Sequence, residues 1–162
     1  RDRVKDDDRL EGLDDVEAGA AFRAVAEYEL GPADLEFVLS RGLGSDGHEG
    51  TSLEVSAGFD YALGERTFLN VSPFLIWGDS DYIGSFYGVS DREAAASRFN
   101  SYSASSGIER VGIEVSVAHF VTERFGFYGQ AEYGALQGDA KDSPIVFDDS
   151  QFELAAGVIF NF

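Results

Sequence analysis

The chain has 162 residues, with 30 Asp and Glu against 12 Lys and Arg, a formal net charge of −18, no Cys, 19 Gly and only 3 Pro. Zero cysteines exclude a disulfide framework, Cys-based zinc sites and thiol catalysis, and the negative charge excludes nucleic acid, whose phosphates demand a basic surface. A hydrophobic content of 44%, with 14 Phe, 7 Tyr and 1 Trp, is a packing composition and fits one domain spanning 1–162.

Residues 1–16 begin Arg1-Asp-Arg-Val-Lys-Asp-Asp-Asp-Arg9 and read as an acidic loop. From there to the end, apolar and polar residues alternate at period two, as in half-buried strands rather than helices. In 17–30, Phe22, Ala24, Ala26, Tyr28 and Leu30 oppose Glu17, Arg23, Glu27 and Glu29; in 35–43, Leu35, Phe37 and Leu39 oppose Glu36 and Ser40. Residues 51–63 are the cleanest case, with Leu53, Val55, Ala57, Phe59 and Tyr61 opposite Glu54, Ser56, Gly58 and Asp60. Four more runs follow, at 67–77 (ending on Trp77), 111–121 (with Glu114 on the polar side), 125–136 (with Glu132) and 150–162. The longest apolar run, Pro73-Phe-Leu-Ile-Trp77, is far too short for a membrane helix. The seven strands are about 9–14 residues long, against about 5–6 for an ordinary strand and about 9–11 for a tilted membrane-spanning one.

The connections alternate in length: short at 31–34, 64–66 and 122–124, long at 44–50, 78–110 and 137–149. This alternation, with charges deep in the polar faces, predicts an all-β, antiparallel up-and-down transmembrane β-barrel of the outer membrane, its tight turns periplasmic and its long loops outside. On that reading Arg23, Glu27, Glu54, Asp60, Glu114 and Glu132 line a hydrated lumen. Tyr28, Tyr61, Phe125, Phe127, Phe160 and Phe162 gather toward the short-turn side as an aromatic girdle facing lipid headgroups, with Trp77 at the opposite rim. The final strand, with Phe160 and Phe162 closing an every-second-place apolar row, resembles the C-terminal signal read by the barrel assembly machinery. Seven strands do not close an antiparallel barrel, and Arg1 is no initiator. The expectation is therefore the C-terminal part of a longer barrel, with upstream strands missing and its two edge strands exposed.

Several stretches resemble the MltA-interacting protein / outer-membrane protein V (MipA/OmpV) family. They are Arg9-Leu-Glu-Gly-Leu-Asp-Asp-Val-Glu17, Tyr87-Gly-Val-Ser90, Ser106-Gly-Ile-Glu-Arg-Val-Gly112 and Gly138-Asp-Ala-Lys-Asp-Ser-Pro-Ile-Val146, followed by the last strand. The resemblance runs over essentially the whole chain. It implies an outer-membrane barrel and, by one branch of the family, a scaffold linking a lytic transglycosylase to a bifunctional penicillin-binding protein in murein synthesis; other members are described as adhesins.

Chemistry-bearing motifs are sparse, and the reading is non-enzymatic and without cofactor. His119 falls near a short turn on the apolar face, and His48 sits in the turn-like Ser45-Asp-Gly-His-Glu49; neither has a partner placed by sequence, and triads are defined by geometry. The acidic groups on the outer side, Asp6, Asp7 and Asp8 with Asp14 and Asp15, and Asp139, Asp142, Asp148 and Asp149, are the weak candidates for Ca²⁺, a hard ion that prefers several oxygen ligands and that also bridges lipopolysaccharide. Ser90-x-x-Glu93 reads as a capping box opening a short helix within the long connection, a segment expected to fold either into the lumen as a constriction or over it as a lid. The function classes are thus a murein-synthesis scaffold, a cation-favouring diffusion channel, or a surface adhesin. Lipid and lipopolysaccharide surround the wall in each case.

Overall fold

The protein is described by a computed structural model that covers residues 8–14, 16, 19–43 and 49–162. Asp6, Asp7, Asp15 and His48 lie outside the described residues, as does the side chain of Asp8. Among the described residues seven strands form one sheet in chain order: β1 (Ala21–Leu30), β2 (Ala33–Gly42), β3 (Thr51–Ala62), β4 (Thr67–Gly78), β5 (Gly107–Phe120), β6 (Phe125–Leu136) and β7 (Ser150–Phe160). Every neighbouring pair is antiparallel. The fold is an all-β up-and-down sheet that is not closed: β1 and β7 are its two edges, and nearly every residue of both is exposed. No described helix is long and apolar enough to cross a membrane.

The period-two pattern sets the register. An apolar row crosses the sheet through Ala26, Phe37, Val55, Leu75, Val111 and Ala135, and a polar row runs through Ser72, Glu114, Glu132 and Glu153. The short turns follow from local chemistry. Gly31 has φ 62° and is followed by Pro32, whose ring holds φ near about −65°, the pairing a two-residue II′ hairpin needs. At the centre of the sheet the β3–β4 ladder lapses at Ala57 and Gly58, opposite Ser72 and Pro73, and resumes on both sides; Pro73 has no N–H to contribute there.

Exposure is inverted relative to a water-soluble barrel. Leu39, Trp77, Ile113, Val117, Phe127, Tyr133, Phe152 and Leu154 are all exposed, Leu154 to 73%, and all stand on the apolar face. A cavity of about 820 Å³ opens over the other face, bounded by Glu27, Glu36, Ser56 and Ser72 among others. The greasy rows therefore do not meet as a dry centre.

The dry packing is instead at the long-loop end. There α1 (Ser80–Tyr87), α2 (Asp91–Ala96) and α3 (Gly138–Lys141) fold together with 8–14 and 143–147 into a cap. Ile83, Phe86, Tyr87, Leu136 and Ala140 form one cluster; Leu10, Leu13, Val89 and Ile145 form another. Leu10 and Leu13 correct the reading of 1–16 as simply a charged loop, because two apolar residues three apart are enough to anchor that segment. The capping box is present in full, Ser90 Oγ accepting from Glu93 N while Glu93 takes the Ser90 N–H. The two largest boundary differences from the sequence reading are of four residues each. β1 begins at Ala21 instead of 17. β5 begins at Gly107 instead of 111, because a bulge breaks the alternation there: Ile76 pairs Arg110 and Trp77 pairs Ile108, leaving Glu109 as the extra residue.

Candidate functional site

The polar face carries the charged side chains singled out from the sequence. Arg23 and Glu27 stand on β1, opposite Ser40 and Glu36. Glu54 and Asp60 stand on β3, Glu114 on β5 and Glu132 on β6. Glu36, Glu54, Glu114 and Glu132 border a second, smaller hollow of about 200 Å³ together with Phe74 and Arg110. Asp60 and Arg23 are not part of that group: Asp60 sits toward the short turns, accepting from Asn70 Nδ2 at 2.9 Å. Carboxylates directly opposite one another on neighbouring strands repel. Here the repulsion is relieved by neutral donors and one cation: Gln130 Nε2 donates to Glu114 at 2.5 Å, and Arg110 Nη1 lies 3.5 Å from Glu132 and 3.3 Å from Gln151 Oε1.

Arg110 is the residue that sequence reasoning missed. A strand begun at 111 leaves Arg110 in the long connection, although the alternation from Ile113 to Val117, extended backwards, puts it on the polar face, where it lies over the Phe74 ring at 5.4 Å. The bulge at Glu109 shifts the phase only beyond it and returns Ile108 to the apolar face opposite Trp77. A side chain at Gly112 would collide with that same ring, so the glycine makes room for the stack.

Glu109 is turned into the cap. It is 1% exposed and accepts from Tyr87 Oη at 2.6 Å and Tyr82 Oη at 3.3 Å, which ties α1 to the top of β5. Asp79 ties the same helix to β3. Its two oxygens accept from Tyr82 N (2.8 Å) and Thr51 N (2.9 Å). Burial pushes the Asp79 carboxyl upward, but these backbone bonds, the Thr51 hydroxyl and the Arg41 charge together hold it below the usual carboxylate range. The Tyr102 hydroxyl, which donates to the Asp139 carbonyl at 2.8 Å, is raised, first by burial and then by Asp139 and Asp142.

Four of the acids considered for Ca²⁺ have local partners, Asp14 with Arg92 among them. Asp139 Oδ2 accepts from Ser105 N, Asp148 accepts from Ser150, and Asp149 pairs with Lys141 at 2.6 Å. That pair lowers Asp149 and raises Lys141, through the shared hydrogen bond first and the opposite charge second. Among the described residues no three His, Asp or Glu side chains cluster to hold a metal. His119 Nδ1 lies 2.9 Å from Thr67 Oγ1 on the apolar face.

The aromatic residues expected at the interfaces stand on the apolar face. Tyr28, Tyr61, Phe125, Phe127 and Phe160 are toward the short-turn end, and Phe162 follows β7 with its ring on Phe160 at a centroid distance of 5.3 Å. Phe125 and Phe127 pair edge to face at 5.1 Å. Trp77 stands at the cap end.

Comparison with the curated proteins and with the solved structures gives no match. A family model described as MltA-interacting protein MipA matches residues 1–162, the whole chain. Long strands with one apolar and one acid-rich face are what the alternation predicted, and the chain belongs to the MltA-interacting protein MipA family.

Proposed function

We propose that the protein is a non-enzymatic outer-membrane β-barrel that serves as a scaffold of murein assembly, bringing a lytic transglycosylase and a bifunctional penicillin-binding protein together. The observation that carries this reading is the family match over all 162 residues. The outward apolar rows support the membrane part of it, since hydrocarbon is the solvent in which a face bearing Leu39, Ile113, Val117 and Leu154 is at ease. Partner contacts from the periplasm fall on the short-turn side, at 31–34, 64–66 and 122–124. Affinity capture from native membranes with the full protein tests the scaffold. Co-purification of a murein hydrolase and a murein synthase supports it, and recovery of neither, from membranes in which the protein is folded, removes it.

A second reading, a diffusion channel, is favoured by one specific feature: the acid-rich hollow of Glu36, Glu54, Glu114 and Glu132 around a single arginine. An acidic lining favours cations. Cation-selective, ohmic steps in planar bilayers support it, and a silent bilayer sets it aside. In this reading Arg23, Glu27 and Asp60 complete the lining, and the cap constricts the outer mouth.

A further inference from the structure

At the short-turn end, a notch of about 400 Å³ is lined by Arg66, Val121, Thr122, Glu123 and Arg124. In a chain with 30 acids, neither arginine of this notch is ion-paired to a carboxylate among the described residues. Arg66 is held in place by its own hydrogen bond, Nη1 donating to the Val121 carbonyl at 3.0 Å, which orients the guanidinium while its other donors stay available. The rim is further ordered by Phe120 N donating to Arg66 O and by Thr122 Oγ1 accepting from Phe125 N.

The wall beside the notch is apolar. Val121, 46% exposed, continues the outward row of Val117 and His119 on β5, and Phe127 stands opposite His119. Along that row Gly129 faces Val117, and a Cβ added at Gly129 would meet nothing within 4 Å, so the surface there is a shallow trough flanked by the exposed Phe127. A ligand that fits both halves has a polar head with a negative group for two guanidiniums and a greasy body for the trough. Glu123, in the same notch, adds one carboxylate suited to an ammonium.

We propose that this notch is a binding site for an aminophospholipid of the bilayer, its phosphate held by Arg66 and Arg124, its ammonium by Glu123 and its acyl chains along the Val117–Gly129 trough. Guanidinium–phosphate bonds are charge-assisted and stronger than neutral ones, and an interfacial arginine has the right depth for them. The proposal rests on the membrane reading above. It adds a discrete lipid site to the periplasmic rim.

The test is native mass spectrometry of the full protein folded in non-ionic detergent doped with phosphatidylethanolamine, phosphatidylglycerol or diacylglycerol, which lacks a phosphate. Wild-type protein retains phosphatidylethanolamine above the other two. Arg66→Gln with Arg124→Gln lowers that retention at least tenfold, since both guanidiniums that hold the phosphate are gone, and Arg66→Lys with Arg124→Lys restores part of it. Glu123→Gln moves the preference toward phosphatidylglycerol. Equal retention of diacylglycerol, equal retention by the glutamine variant, displacement of the lipid by a soluble acidic peptide, or an unchanged headgroup preference in Glu123→Gln each overturns the site. A chain that inserts into vesicles but behaves in one of those ways refutes the site alone; a chain that does not insert refutes the membrane reading and the site together.

Discussion

Tyr87 Oη donates a 2.6 Å hydrogen bond to Glu109 Oε1, across 22 residues of chain and in a place almost closed to solvent. One partner ends the first cap helix and the other is the extra residue of a β-bulge. The bulge turns a carboxylate out of the strand's alternation, and the helix supplies hydroxyls that make its burial tolerable.

That relationship predicts how the cap opens. Tyr87→Phe removes a donor from a buried carboxylate, a loss of about 1.5–3 kcal/mol for a bond to a charged group. The expected outcome is faster proteolytic nicking within 88–106, with the heat-dependent gel shift of the folded wall unchanged. A variant nicked no faster than wild type contradicts the role of this bond.

Asp79 makes the same helix pH-sensitive. Its carboxyl is depressed in the folded chain, so its contribution is complete above the unfolded value of about 3.9 and is lost as pH falls through the depressed value. The protection of 80–87 against hydrogen exchange, relative to the unfolded chain at the same pH, should therefore fall as pH drops through the depressed value. Asp79→Asn should show part of that loss of protection at neutral pH, at a cost of about 1 kcal/mol, because an amide offers one oxygen where Tyr82 N and Thr51 N now find two.

The two faces of β5 should respond oppositely to the same substitution. Val115→Arg places a guanidinium on the outward row, where it should cost about 2–4 kcal/mol in a bilayer, whereas Ser116→Arg on the acid-rich face should cost far less. Urea titration of folding into phospholipid vesicles measures both. Equal penalties would mean that the outward row does not meet hydrocarbon.

Pro73 leaves a gap in the β3–β4 ladder. Pro73→Val restores a backbone N–H opposite Ala57 and supplies a β-branched side chain on an exposed row, so it should stabilise the wall by about 0.5–1.5 kcal/mol. The same urea titration detects this as a higher midpoint with an unchanged slope.

Much of the wall was legible because strand periodicity is local. Leu53 to Tyr61 alternates cleanly with Glu54 to Asp60, so the partition into faces could be assigned from the chain alone, and the placement of Glu54, Asp60, Glu114 and Glu132 on one face follows from it. The capping box at Ser90 and Glu93 was equally local. Arg110 escaped notice because the bulge at Glu109 breaks the alternation just beyond it, so the clean period stops short of the true start of β5. Leu10 and Leu13 were hidden in the opposite way: two apolar side chains in an acidic stretch carry no period.

By itself, then, the sequence determined the strands, their two faces and the alternation of short and long connections, because side-chain direction in a strand and turn chemistry at Gly31-Pro32 depend on neighbouring residues only. The tertiary structure alone decided that Glu109 meets Tyr82 and Tyr87, that 8–14 joins the cap, and that Arg66 and Arg124 flank one notch. Those contacts join residues 22, 27, 58 and more positions apart, and they arise from where the sheet brings its ends together, which no local pattern encodes.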